Sequence, residues 1–234
     1  MNLVCYDGSA TISEKSMMPA LTIKSLINEA KTFAEAESIY PEPTLYGVTD
    51  GKAIGTYVEH KFKAYLATKY TFMPGSSASG IDFPELDVDM KVTSIVQPQS
   101  SCPFKSARQK IFGLGYSLLI FVYSKTDDVE SKTATLNILH TVFIGKERTA
   151  DYQMTTRLKE ILDNEGNADD LVAFMRDRNL PLDDIEAYTI AGELLGGTRL
   201  VEGYLTISNA LQWRLQYSRV IAEAGKVDGI IRIR

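Results

Sequence analysis

The chain has 234 residues, of which 44% are apolar and 24% are charged, so it can bury a sizeable core and is not a disordered protein. No apolar run approaches the roughly 20 residues that span a bilayer, no signal peptide is apparent, and two cysteines are too few for a disulfide framework or a cysteine-based zinc site, so we expect a cytoplasmic protein without membrane contact. The net charge of −5 counts against a nucleic-acid-binding protein, although such binding depends on where the basic residues lie.

The first half of the chain alternates helical and extended patterns. Apolar residues recur with helical spacing from 19 to 38 and again from 49 to 69, which predicts two helices. A small, flexible loop at 74–80 separates the second helix from residues 86–93, where apolar and charged residues alternate. That alternation predicts a strand with one apolar face and one charged face.

A third helix is predicted to begin at Ser100–Ser101 and to end at Gly113. Residues 118–123 are apolar on both faces, as in a central strand that is covered on both sides. Residues 135–144 alternate again and predict another strand.

The last third of the chain is more polar. Residues 151–195 predict helices interrupted at 180–184, and the tail predicts a strand, a helix and a strand at 201–207, 208–224 and 229–233. The order of elements predicts an α/β fold, with a mixed central sheet flanked by helices and an appended helical subdomain. We therefore divide the chain into an N-terminal helix plus catalytic core (1–150), a helical subdomain (151–198) and a C-terminal strand–helix–strand unit packed on the core (199–234).

The charged face of the strand at 86–93 carries the strongest functional signal. Residues two apart on a strand point to the same side, so Asp89 and Lys91 project together, while the apolar side chain of Met90 leaves its backbone carbonyl for other use. A tight turn through Pro84 and Glu85 would place Asp82 beside Asp89. Two adjacent carboxylates repel each other unless a cation lies between them, and Mg²⁺ prefers such oxygen ligands.

This arrangement predicts metal-assisted hydrolysis of a phosphodiester. A metal held by Asp82, Asp89 and the Met90 carbonyl would bind a phosphate oxygen and acidify a bound water. Lys91 would orient that water and stabilise charge in the transition state. The alternative is a solvated edge strand on which Asp89 and Lys91 form an ordinary surface pair.

The segment Gly80–Lys91 resembles the D-x6-(D/E)-x-K active site of PD-(D/E)xK nucleases, namely the mismatch-repair nicking endonuclease MutH and related type II restriction enzymes. This chain has Asp87 where those relatives have glycine and Asp89 where they have glutamate. Upstream, Gly55–Glu59 resembles the family's helix with a glycine four residues before a glutamate, which implies that Glu59 helps to position metal or water. The resemblance covers about residues 50–124 and implies a restriction-endonuclease-like core with Mg²⁺ as cofactor.

The helix that follows the active-site strand is the first candidate for contact with DNA. Its basic and amide residues could neutralise phosphates or read base edges, and we expect them to be available. The preceding loop and a basic, aromatic segment near the C-terminus are further candidates, and the helical subdomain is a candidate recognition unit. The helix residues are Lys105, Arg108, Gln109 and Lys110, the loop residues are Gln97, Gln99 and Ser100, and the C-terminal residues are Gln212, Trp213, Arg214, Tyr217 and Arg219.

The leading hypothesis is a type II restriction endonuclease acting on double-stranded DNA as a monomer or homodimer, with a DNA methyltransferase of the same specificity as functional partner. The alternatives are a strand-nicking repair endonuclease like MutH, an inactive DNA-binding protein of the same fold, and, ranked last, a glycosidase. The glycosidase would use two of the four acids Asp82, Glu85, Asp87 and Asp89.

Overall fold

The computed structural model describes residues 18–75, 80–102, 105–208 and 213–234. None of the helices in these ranges is long and apolar enough to cross a membrane. The helices are α1 (Ile23–Glu37), α2 (Gly51–Ala67), α3 (Arg108–Phe112), α4 (Tyr152–Asp163), α5 (Ala168–Asp177), α6 (Asp184–Leu195) and α7 (Ser218–Glu223). The strands are β1 (Pro41–Glu42), β2 (Val88–Ser94), β3 (Gln99–Cys102), β4 (Ser117–Asp128), β5 (Thr133–Ile144), β6 (Thr206–Ile207), β7 (Trp213–Gln216) and β8 (Ile230–Arg232).

The central sheet is mixed, as the sequence predicted. Its strand order is β1-β5-β4-β2, and β8 pairs with the other end of β5. Strand β2 runs parallel to β4, with Asp89 opposite Leu118, while β4 and β5 are antiparallel. In this path β2 is the last strand, so its charged residues lie at an edge of the sheet.

Helices α1 and α2 cover one face of this sheet, close to where the sequence predicted them. Thr22 caps α1 in a reciprocal capping box with Ser25, and the Asp50 carboxylate caps α2 by accepting hydrogen bonds from two backbone N–H groups. The buried stripe of α2 packs against the apolar side chains of β2 and β4. These contacts place α2 beside the edge strand β2.

The other face of the sheet packs against a second sheet with the order β3-β7-β6. Two sequence predictions are wrong here. Residues 99–102 form strand β3 and no helix begins at Ser100, because this segment pairs with β7, with Cys102 opposite Trp213. The helix predicted over 208–224 is confined to Ser218–Glu223. Positions 103 and 104, also assigned to the predicted third helix, and 209–212 lie outside the described residues.

Helices α4, α5 and α6, which lie in the predicted helical subdomain, share a third buried cluster. The sequence predicted the break near 180–184, and a second break lies at Asn164–Asn167, where Asn167 caps α5. Ala107 and Ile111, which belong to α3 and its N-cap, are buried in the same cluster. The three helices therefore contact the rest of the chain through α3, and also through the start of α4, where Asp151 accepts a hydrogen bond from the Ile207 N–H.

Candidate active site

A tight turn brings Asp82 next to Asp89. Phe83 and Val88 exchange backbone hydrogen bonds at 2.9 and 3.2 Å across the turn, which is a single 3₁₀ segment at Pro84–Leu86. The Asp82 carboxylate then accepts a hydrogen bond from the Met90 backbone N–H at 2.8 Å. The structure thus confirms the predicted turn and places Asp82 beside the charged face of β2.

Asp89 and Lys91 point to the same side of β2, as their spacing predicted. The Lys91 ammonium lies 2.8 Å from Asp89 Oδ2 in an ion pair. Asp89 is only 4% exposed, and Met90 between them is buried in the cluster on the opposite face of the sheet. The pair is therefore a partly buried feature of the sheet edge rather than a solvated surface pair.

Asp82 and Asp89 shift each other's pKa in opposite directions. Burial raises the pKa of Asp89 to about 6, and the neighbouring Asp82 adds to this rise while Lys91 opposes it. Burial also acts to raise the pKa of Asp82, but hydrogen bonds from Asp89, Lys63 and the Met90 N–H outweigh it, so that pKa is lowered. Two carboxyl groups whose pKa values diverge in this way are typical of functional sites.

Glu59 lies near the pair but is turned toward a lysine that no sequence pattern singled out. Lys63 Nζ lies 2.6 Å from Glu59 Oε1 and 2.6 Å from Asp82 Oδ1, so it bridges helix α2 and the active-site turn. The only sequence signal for Lys63 was its spacing of four residues from Glu59, which is common on helix surfaces.

The described residues contain no cluster of three or more histidine, cysteine, aspartate or glutamate side chains arranged to hold a metal. Asp82 and Asp89 nevertheless fit a hard divalent cation. Asp89 Oδ2 is buried and, apart from its contact with Lys91, accepts no hydrogen bond from the described part of the chain. A buried carboxylate oxygen in this state is a ligand that a metal ion would satisfy.

The other two acids of this segment are turned away from the pair. The Glu85 carboxylate accepts a hydrogen bond from the Met73 backbone N–H at 2.9 Å. Asp87 is exposed, and its carboxylate lies 3.9 Å from Lys146. This geometry does not support a glycosidase built on Glu85 or Asp87.

The expectation that all four residues near α3 are available for DNA is wrong for two of them. Gln109 and Lys110 are 9% and 5% exposed, because the helical subdomain and the segment after α3 cover them. Gln109 bonds to the Lys105 N–H and the Leu114 carbonyl. Lys105 is exposed, and half-buried Arg108 forms an ion pair with Glu193 of α6.

The C-terminal candidates are mostly structural. Trp213 and Tyr217 are buried in the cluster between the two sheets, and Arg219 stacks on Tyr152 with its guanidinium carbon 3.6 Å from the ring centre. Arg214 is exposed on β7, and position 212 lies outside the described residues. Of the earlier loop, Gln97 is exposed, and the Ser100 hydroxyl bonds to Tyr217.

Comparisons with known proteins identify the family of this chain. The family described as type II restriction enzyme NspV matches residues 20–232. A type II restriction enzyme NspV from Nostoc sp. (strain ATCC 29411 / PCC 7524) is 66% identical over 216 residues, which cover 92% of this chain and 98% of that protein. No solved structure matches the chain. The chain therefore belongs to the family of type II restriction enzyme NspV.

Proposed function

We propose that this restriction enzyme hydrolyses both strands of double-stranded DNA at a specific sequence, with Mg²⁺ held by Asp82, Asp89 and the Met90 backbone carbonyl. Family membership supports a site-specific deoxyribonuclease, and enzymes of this type generally use a divalent metal. The observation that carries the assignment of the site is the meeting of the Asp82 and Asp89 carboxyl groups within reach of Lys91.

Each residue of the site has a distinct role in this proposal. Mg²⁺ bound there would polarise a phosphate oxygen and lower the pKa of a water ligand. Asp82 is oriented by the Met90 N–H, and Asp89 brings a buried oxygen that, apart from its ion pair with Lys91, accepts no hydrogen bond in the described part of the chain. Lys91 holds the attacking water and stabilises the negative charge that develops on the phosphate. Glu59 positions metal or water from the side of helix α2.

The spacing of the three residues supports the same assignment. Asp82, six intervening residues, Asp89, one residue and Lys91 resemble the PD-(D/E)xK active site of MutH-like nucleases. The turn provides what that motif requires, because it puts the first acid beside the second while the lysine shares the second acid's face of the strand.

We extend the proposal to how DNA and partners are bound. Lys105 lies just before α3 and Arg108 is its first residue, so both are close in sequence to strand β2. Both can neutralise phosphates of the DNA backbone. Gln109 and Lys110 would join them only if the subdomain moved, and the subdomain itself is the candidate reader of base sequence. A homodimer would supply one active site for each strand, and a DNA methyltransferase of the same specificity would protect the host DNA.

A cleavage assay with matched isosteric variants tests the site. Asp89→Asn removes the proposed metal ligand, and Asp87→Asn removes an exposed carboxylate two residues away. We expect wild type and Asp87→Asn to cut plasmid and phage DNA into discrete double-strand fragments with Mg²⁺ but not with EDTA. Asp89→Asn should be slower by at least about a hundredfold, since it loses charge stabilisation in the transition state.

Three results would contradict parts of the proposal. Equal activity of Asp89→Asn and Asp87→Asn would remove Asp89 from the site. Nicked circles as the only product would identify a strand-nicking enzyme. Intact DNA under all conditions, including Mn²⁺, would leave an inactive DNA-binding protein.

A further inference from the structure

We propose that Lys63 is a positioning residue whose ammonium occupies the Glu59–Asp82 side of the active site and is displaced when a divalent ion binds. The inference rests on the proposed function, because it assumes that Asp82 is a metal ligand. It assigns a role in ion binding to a helix residue outside the Asp82–Asp89–Lys91 pattern.

The geometry of Lys63 separates it from an ordinary helix-surface lysine. Its ammonium lies 2.6 Å from one oxygen of Glu59 and 2.6 Å from one oxygen of Asp82, and its side chain is only 17% exposed. Glu59 shares helix α2 with it, whereas Asp82 lies on the turn before β2. Lys63 therefore links the helix to the turn through the carboxylate that we assign to the metal.

The charges explain why such a cation is needed. Asp82 lies between two other acids, since it shares the Lys63 ammonium with Glu59 and contacts Asp89, whereas Lys91 pairs with Asp89. Lys63 supplies the positive charge that faces Glu59 and Asp82 together. Without this ammonium, repulsion among the acids would disfavour the metal-free site.

A divalent ion would compete with Lys63 for the same oxygens. Asp82 Oδ2 already accepts the Met90 N–H, and Oδ1 faces Lys63. An ion ligated by Asp82 would bring two positive charges close to the ammonium, and the repulsion between them favours release of the lysine. Release would also free Glu59 to turn toward metal or water.

The first test measures ion binding in the absence of DNA. Mn²⁺, which takes oxygen ligands as Mg²⁺ does, is titrated into the full chain and its free concentration is followed by electron paramagnetic resonance. We expect Lys63→Gln to bind Mn²⁺ at least about tenfold more tightly than wild type, because a competing charge has been removed. Lys63→Arg retains the charge and should stay near wild type.

Lys61→Gln is the matched control for this titration. Lys61 lies on the same helix but pairs with Glu37, 2.8 Å away, and contacts Tyr57 rather than the active-site acids. The change alters the net charge of the chain by the same amount. If Lys63→Gln binds Mn²⁺ no more tightly than Lys61→Gln does, Lys63 does not compete with the ion and the proposal is wrong.

A second measurement uses the wild-type chain and does not depend on the folding of a variant. The rate of acetylation of each lysine amine is measured by mass spectrometry. A lysine that is held in an ion pair reacts more slowly than one that is released. Saturating Mn²⁺ should accelerate labelling of Lys63 severalfold and leave Lys61 unchanged. Unchanged or slower labelling of Lys63 would overturn the displacement.

The two proposals fail in different ways. If neither wild type nor Lys63→Gln binds Mn²⁺ in the titration, both the proposed metal site and the proposed displacement of Lys63 are wrong. If wild type binds the ion and Asp89→Asn does not, the metal site stands, and the behaviour of Lys63 alone decides the further inference.

Discussion

The carboxyl group of Asp89 lies where its charge is disfavoured. It is 4% exposed and next to Asp82, and among the described residues only the Lys91 ammonium forms an ion pair with it. Burying a charge beside a like charge lowers the stability of the folded protein. A bound cation would offset this cost, which fits the proposed role of Asp89 as a metal ligand. At the residue scale, the proposed site therefore weakens the metal-free protein.

This cost has a definite dependence on pH. The pKa of Asp89 is about 6 in the folded protein against an ordinary value of 3.8, so the folded state holds a proton more tightly than the unfolded state. The resulting stabilisation is fully present below about pH 4 and is lost as the pH rises through about 6. In EDTA, Asp89→Asn should therefore be more stable than wild type at pH 8, by roughly 1–3 kcal/mol, and should match it near pH 4.

Urea unfolding at the two pH values checks this expectation. Asp87→Asn serves as the control, because Asp87 is exposed and should give no such difference. If Asp89→Asn were less stable than wild type at both pH 8 and pH 4, the Asp89 carboxylate would stabilise the metal-free fold, and the expectation would be wrong.

The turn between Asp82 and Asp89 depends on one residue with a left-handed backbone. Asp87 has φ 52° and ψ 44°, a conformation that glycine adopts without cost and that other residues adopt at a cost of about 1–2 kcal/mol. In this chain aspartate completes the turn that brings Asp82 beside Asp89.

Substitution at Asp87 should separate backbone strain from chemistry. Asp87→Gly should leave stability unchanged or raise it by up to about 1 kcal/mol, whereas Asp87→Ala should lower it by a similar amount. Both variants should keep Mg²⁺-dependent cleavage, since Asp87 points away from the acid pair. Thermal unfolding together with the plasmid assay measures both effects, and loss of cleavage in Asp87→Gly would show that this side chain takes part in the site.

Local periodicity predicted the helices and strands that bury a regular set of apolar side chains. It did not predict strands that form only by pairing with a segment distant in sequence. Helices α1 and α2 and strands β2, β4 and β5 were recognised from their apolar stripes. Strand β3 was not, because its polar residues form a strand only by pairing with β7, more than a hundred residues later. In β7, Trp213 and Leu215 alternate with exposed Arg214 and Gln216, a pattern too short to outweigh the helical spacing around it.

The active site shows the same division. Asp82, Asp89 and Lys91 could be proposed because strand period and a short turn determine their relation. Lys63 was missed because its contact with Asp82 joins a helix to a turn nineteen residues away, which no local pattern reveals. The burial of Gln109 and Lys110 was equally hidden, since it depends on how the subdomain packs over α3.

At the scale of the whole molecule, three buried clusters divide the chain. The first lies between the central sheet and helices α1 and α2, the second between the two sheets, and the third inside the helical subdomain. Strand β2, which carries the proposed active site, lies at the edge of the central sheet. The third cluster includes Ala107 and Ile111 of the α3 segment, so it packs against the part of the chain that joins β3 to β4.

We expect the helical subdomain, residues 151–198, to open as a unit of its own. Leu171 is fully buried in the third cluster and Leu136 is 1% exposed in the first, so truncation of either to alanine should cost about 2–4 kcal/mol. Hydrogen exchange distinguishes the two variants. Leu171→Ala should accelerate exchange in α4, α5 and α6 while β4 and β5 stay protected, and Leu136→Ala should do the reverse, because local opening follows the contacts that were removed. If hydrogen exchange became faster throughout the chain in both variants, the subdomain and the core would unfold together. The predicted boundary near residue 151 would then not divide the chain into separate cooperative units.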